Sequence, residues 1–142
     1  MSEDPVLSIH PKYADAIFAG LKRVEFRRKR ISLSKSRRIW VYATRPVAGV
    51  IGYIEVKEVV CKPLDELWDL YSSVGHIDAG EFNGYFSGCE TGYALVLSDA
   101  VLLDTPLGLD KIMQVCPTFR PPQFYLRSAP TALADLLPDP LY

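Results

Sequence analysis

The chain has 142 residues, 49% hydrophobic and 23% charged, values that fit one globular domain able to bury a core without metals or disulfides. No apolar run approaches the roughly eighteen residues of a membrane span. The start, MSEDPVLSIHPK, is acidic where a signal peptide is basic, so a cytoplasmic protein with no membrane partner is expected.

Three widely spaced cysteines, Cys61, Cys89 and Cys116, lack any C-x-x-C pair or histidine cluster, so no metal and no cofactor is expected. The net charge of −1 hides an asymmetry. Lys22 to Arg38 holds nine of the sixteen basic residues and one acid, a local +8 that leaves −9 for the remainder. Such a segment is the footprint of an anionic partner such as a phosphate backbone, or else a solvated hairpin paired with the protein's own acids.

In chain order, PVLSIHP alternates apolar and polar residues and stops at Pro11, which predicts a short strand. PKYADAIFAGLK predicts a helix with proline in its first turn, Tyr13, Ile17 and Phe18 at helical spacing, and Gly20 as C-terminal cap. KRVEFRRKRI then alternates in the strand manner, placing Glu25 on one face with Arg23 and Arg27. RIWVYATRP and GVIGYIEVKEVVCKP read as long strands of a meander, joined by a Pro-Val-Ala-Gly turn. LDELWDLYSSVG predicts a helix and DAGEFNGYFSG a second short one, before TGYALVLSDAVLLDTPL returns to strand. A short LGLDKIMQV segment leads to a last strand in PPQFYLR. About six strands, two or three peripheral helices and no βαβ alternation predict an α+β fold on a small, mixed, closed β-barrel. A single domain over 1–142 is expected, with its core at about 5–127 and a tail or peripheral helix at 128–142.

GLKRVEFR resembles the G-x-K-x-x-E-x-R signature of the ASCH domain family, a PUA-like β-barrel superfamily, at Gly20, Lys22, Glu25 and Arg27. The flanking LSIHPKYADAIFAG, RIWVYATRPVAGVIGYIEVKEVV, FNGYFSGCETGYALVL and PPQFYLR resemble, in order, segments of its prokaryotic stand-alone members. The resemblance implies a PUA-like barrel whose signature residues line a cleft for RNA or a nucleotide. Some members of the superfamily are enzymes, among them an N4-acetylcytidine amidohydrolase with a lysine at the position of Lys22. That enzyme has threonine where this chain has Glu25, so no hydroxyl nucleophile is carried over.

A carboxylate flanked by cations stays ionised and can fix an arginine whose remaining donors meet a phosphate or a base edge. For Glu25 this gives an orienting role in an anion cleft, with a plain ion pair across the strand as the other reading. His10, before Pro11, and Ser8, two residues earlier on the same face, are candidates for the cleft mouth. Thr44 and Arg45 are candidates where a strand opens into a loop. Arg28, Lys29, Arg30, Lys35, Arg37 and Arg38 are candidate phosphate contacts. Trp40, Tyr42, Tyr85, Phe86 and Tyr93 are core residues or stacking platforms. No Walker loop, nucleophile elbow or H-E-x-x-H is present.

The leading expectation is an RNA- or nucleotide-binding protein with a basic cleft and a regulatory use. The alternative is a metal-independent hydrolase of a modified nucleoside or RNA, with Lys22 as base or charge stabiliser and Glu25 as general base. A third reading is a module for a protein partner. The oligomeric state is left open.

Overall fold

The structure, a computed structural model, describes residues 4–123 and 125–138. β1 (Val6–Ile9) leads through His10 into α1 (Pro11–Phe18), which starts on a proline whose missing N–H costs nothing at a helix N-terminus. α1 ends in a Schellman turn. The N–H of Leu21 bonds to Ala16 O at 2.9 Å and that of Gly20 to Ile17 O at 3.1 Å. Gly20 takes φ of +80°, which only glycine adopts without cost.

The turn delivers the chain to β2 (Val24–Arg27), and β3 (Arg38–Ala43) and β4 (Gly49–Pro63) follow. Then come α2 (Leu64–Tyr71), α3 (Ala79–Tyr85), β5 (Thr91–Gly108), α4 (Leu109–Val115), β6 (Tyr125–Leu126) and α5 (Thr131–Ala134). Six strands form one mixed sheet in the order β2-β5-β4-β3-β1-β6. β1 and β3 are parallel, and every other neighbouring pair is antiparallel. The long strands β4 and β5 shift register at Val50/Gly52, Glu55/Val56 and Val56/Glu58. Such bulges bend a sheet and increase its twist, and here they curl it into a half-barrel. Arg27 of β2 and Tyr125 of β6, from opposite sheet edges, line one recess. Among the described residues β2 and β6 do not pair, so the curl stops short of ladder closure.

The expected meander is β3-β4-β5. Among the described residues, the strand expected over PPQFYLR pairs at Tyr125 and Leu126, and Pro121 and Pro122 have no N–H to offer a ladder. Five helices are present among the described residues. α5 lies within 128–142, where a tail or peripheral helix is expected; α4, over LGLDKIMQV, is too short for periodicity to reveal, and each is held by one buried side chain, Leu133 and Ile112.

Period-two alternation divides β1 and β3 between two cores. Leu7, Ile9, Ile39 and Val41 join Ile17 of α1 on one face. Val6, Trp40 and Tyr42 join Ile112, Phe119 and Leu133 on the other. Both faces of these strands are covered, which is why they read as continuous apolar runs. A third core sits at the β2 edge, where Val24 and Phe26 meet Leu67, Phe82 and Phe86. No helix among the described residues is long and apolar enough to cross a membrane.

Candidate functional site

The N–H of Lys22 joins that of Leu21 on Ala16 O, and this double contact turns the Lys22 side chain inward. Lys22 is 2% exposed. Its Nζ donates to Gly75 O, lies 3.7 Å from Glu25 Oε1, and sits 5.1 Å from the Tyr13 ring centroid and 5.5 Å from that of Phe26. A Cβ on Gly75 would fall 2.6 Å from the Phe26 ring, so glycine allows this close approach. Burial pushes the Lys22 ammonium below its usual pKa, and Glu25 opposes that shift.

Glu25 is buried on β2, and its Oε2 accepts from Arg27 Nη1 at 3.3 Å. The one acid of the basic segment therefore bridges a buried ammonium and a guanidinium. Arg23, expected on the same face as Glu25, is exposed and precedes β2; its N–H bonds to Val74 O.

A cavity of about 240 Å³ opens onto Lys22, Glu25 and Arg27, walled by Ser8, His10, Tyr13, Ile77 and Tyr85 among others. His10 caps α1, its Nδ1 accepting from the N–H of Lys12 at 3.1 Å, which places the proton of the neutral ring on Nε2. Ser8 Oγ donates to Pro122 O at 2.6 Å and so ties β1 to the segment before β6.

Sequence reasoning missed Glu81. Asp78 caps α3 by accepting from the N–H of Glu81. Glu81 Oε2 then accepts from Tyr13 Oη at 2.6 Å and from Lys12 Nζ at 2.7 Å, clasping α3 to α1 beside the cavity. The D-x-x-E spacing of Asp78 and Glu81 marks a helix start, but nothing local marks a partner 68 residues away. Hydrogen bonds from Lys12 and Tyr13 hold the Glu81 carboxyl down at about 2, against an ordinary 4.5. Burial and Glu81 push the Tyr13 hydroxyl up. A depressed carboxyl stabilises the fold fully above its unfolded pKa, and that contribution disappears as pH falls through the folded one. The melting temperature should therefore fall more steeply between about pH 4.5 and about pH 2 in the wild type than in Glu81→Gln, as a pH series of thermal melts would record. Equal slopes would refute the clasp.

Of the twelve principal candidates, Ser8, His10, Lys22, Glu25 and Arg27 share the cavity. Arg28 and Lys29 flank a neighbouring recess with Tyr85 and Tyr125. The Arg28 guanidinium lies 5.1 Å from the Tyr85 ring centroid, and its backbone N–H donates to Tyr85 Oη at 3.2 Å. Arg30 and Arg37 border a separate groove with Tyr93, and Lys35 is exposed. Thr44 and Arg45 lie in the β3–β4 turn. The N–H of Thr44 bonds to Ile9 O, yet neither side chain is among those lining the cavity.

Arg38 is committed elsewhere than to a solvent-facing phosphate contact. It is buried, with Nη2 2.9 Å and Nε 3.1 Å from Asp4 Oδ2. Burial pushes the Asp4 carboxyl up, but Ser34, Ser36 and Arg38 together outweigh this and hold it below its usual range. Trp40, Tyr42 and Phe86 are core residues, whereas Tyr85 faces the cavity. Among the described residues no three His, Cys, Asp or Glu side chains are grouped to hold a metal ion.

Residues 7–94 match the family model described as the ASCH domain. The chain is 36% identical over 121 residues to an ASCH domain-containing ribonuclease of Zymomonas mobilis, covering 85% of this chain and 81% of that protein. The crystal structure of ASCH from Zymomonas mobilis superposes with a TM-score of 0.86 at 34% identity, over 94% of this chain and 93% of that one. The N-terminal domain of Staphylothermus marinus McrB, at 13% identity and a TM-score of 0.52 over 89% of this chain and 88% of that one, shares the fold alone. On the match of its residues 7–94 to the family model and on its likeness to the Zymomonas mobilis protein, the chain belongs to the ASCH domain family.

Proposed function

We propose that the protein binds single-stranded RNA and cleaves a phosphodiester in the Lys22–Glu25–Arg27 cavity. The observation that carries this reading is a buried carboxylate held between two cations in a cavity beside exposed basic residues. The ribonuclease name of the Zymomonas mobilis relative supports RNA as the substrate class. A cavity of about 240 Å³ suits one unstacked nucleotide, which a single strand offers and a duplex withholds. Exposed Arg28, Lys29 and Arg30 beside it favour a strand with many phosphates over a free modified nucleoside.

RNA carries its own nucleophile, the 2′-hydroxyl next to each phosphodiester, so the protein needs a base, an acid and positive charge. Glu25 takes the 2′-hydroxyl proton while the 2′-oxygen attacks phosphorus. The bond from phosphorus to the 5′-oxygen breaks, and that oxygen takes a proton from Lys22, an acid strengthened by burial. The proton on Glu25 returns to Lys22 across their 3.7 Å separation. Lys22 and Arg27 stabilise the charge that grows on the phosphorane. The products are a 2′,3′-cyclic phosphate and a 5′-hydroxyl.

Lys22→Met keeps the length and apolar contacts of the stem without the charge or the proton. Its cleavage of a fluorescent single-stranded RNA should fall by about 100-fold or more. Gel-shift affinity, set largely by exposed basic residues, should stay near that of the wild type and weaken with salt in both proteins. Equal cleavage by the two proteins would end this reading.

A further inference from the structure

Three recesses adjoin along the segment that follows Glu25. The cavity shares Arg27 and Tyr85 with a shallow shelf bounded also by Arg28 and Tyr125. The shelf shares Ile31 with a groove of about 480 Å³, twice the cavity's volume, bounded by Arg30, Arg37, Tyr93 and Cys61. None of the described residues lining the groove is acidic. Sheet register fixes its position: Tyr93 of β5 stands opposite Arg27 on β2 and opposite Cys61 on β4. The groove therefore lies one strand away from the cavity's own arginine.

Its basic groups are presented in different ways. Arg30 is exposed. Arg37 has φ of +58°, a strained conformation for a residue with a Cβ, and its Nε and Nη2 donate to Val56 O at 2.8 Å and Lys57 O at 2.9 Å. Two backbone acceptors thus hold this guanidinium in place at the rim. Half-buried Tyr93 lines the same groove as these basic residues and Val59. A half-buried aromatic beside fixed positive charge is the combination that binds single strands without reading their sequence.

We propose that this groove holds the RNA flanking the nucleotide in the cavity, with one base against Tyr93 and the adjacent phosphates on Arg30 and Arg37. The inference rests on the reading that the cavity takes RNA, and it adds the path of the strand: from Lys22, over Arg28, to Tyr93. Affinity must then depend on length, because a dinucleotide reaches from the cavity no further than the shelf and a longer strand also fills the groove.

Cys61, exposed in the groove wall, is a built-in reporter. Its alkylation by iodoacetamide, followed by peptide mass spectrometry on the wild-type protein, is compared with no ligand, with a dinucleotide and with a ten-nucleotide strand, both 2′-O-methylated to prevent cleavage. The ten-nucleotide strand should slow alkylation about fivefold or more at saturation, and the dinucleotide should not. Arg30→Glu and, separately, Tyr93→Leu should weaken the ten-nucleotide strand about tenfold and leave the dinucleotide unchanged. Full Cys61 reactivity with the long strand bound would overturn the groove while leaving the cavity reading intact. Failure of both strands to bind would overturn the two together.

Discussion

Glu25→Gln is expected to lower RNA cleavage by about 100- to 10,000-fold, the range for removing a positioned general base. Glutamine keeps the shape of the side chain and loses the proton acceptor between Lys22 and Arg27. The change also leaves Lys22 buried without its counter-charge, and the ammonium answers by releasing its proton more readily. The fold therefore has a way to avoid an unpaired buried charge, and the variant should still melt cooperatively. RNA affinity should stay within about threefold of the wild type, since the exposed basic residues supply most of the attraction. Rates under single-turnover conditions, with affinity measured separately, divide the base role from a structural one. A variant that loses binding and cleavage together would mark Glu25 as only a strut for Arg27.

Asp4→Ala is expected to cost about 3–5 kcal/mol of stability, the range for removing one partner of a buried ion pair. Neither Asp4 nor Arg38 is among the residues lining the cavity. Arg38 is 9% exposed and Asp4 3% exposed, so the truncation takes a carboxylate from a buried guanidinium. Ser34 Oγ at 2.5 Å and Ser36 Oγ at 2.6 Å from Asp4 Oδ1 lose their acceptor at the same time. The Asp4 carbonyl also accepts from the N–H of Ala129, tying the start of the chain to the segment before α5. Urea unfolding monitored by the fluorescence of Trp40 and Trp68 measures the loss. The double variant Asp4→Leu/Arg38→Met should recover most of it, because two apolar groups need no partner. No recovery would place the loss in the Ser34 and Ser36 hydrogen bonds instead of the ion pair.

Much of the site's first half was legible. Pro11, Gly20 and the alternation from Val24 fix β1, α1 and β2, because a proline start, a positive-φ glycine and a period of two are local properties. Glu25 and Arg27 share a strand face in that frame, and Lys22 joins them through the resemblance to the G-x-K-x-x-E-x-R signature. Their partners do not follow from either. Which basic neighbour turns inward depends on the Schellman turn, which buries Lys22 and leaves Arg23 outside, and a count of charges cannot separate the two. Arg38 read as a phosphate contact because the basic segment looks uniform, yet it lies at the start of a strand covered on both faces and meets an acid 34 residues earlier. Glu81 lay hidden for the same reason, as its partners on α1 are brought near only by folding. α4 escaped because seven residues give too few turns for a helical period.

The central claim is that this cavity cuts RNA through the strand's own 2′-hydroxyl. Mass spectrometry of a ten-nucleotide single-stranded RNA incubated with the wild-type protein tests it directly, with the 2′-O-methylated strand alongside. The account predicts fragments ending in a 2′,3′-cyclic phosphate and beginning with a 5′-hydroxyl, and no cut in the methylated strand. An intact RNA, fragments that begin with a 5′-phosphate, or cleavage of the methylated strand would contradict it.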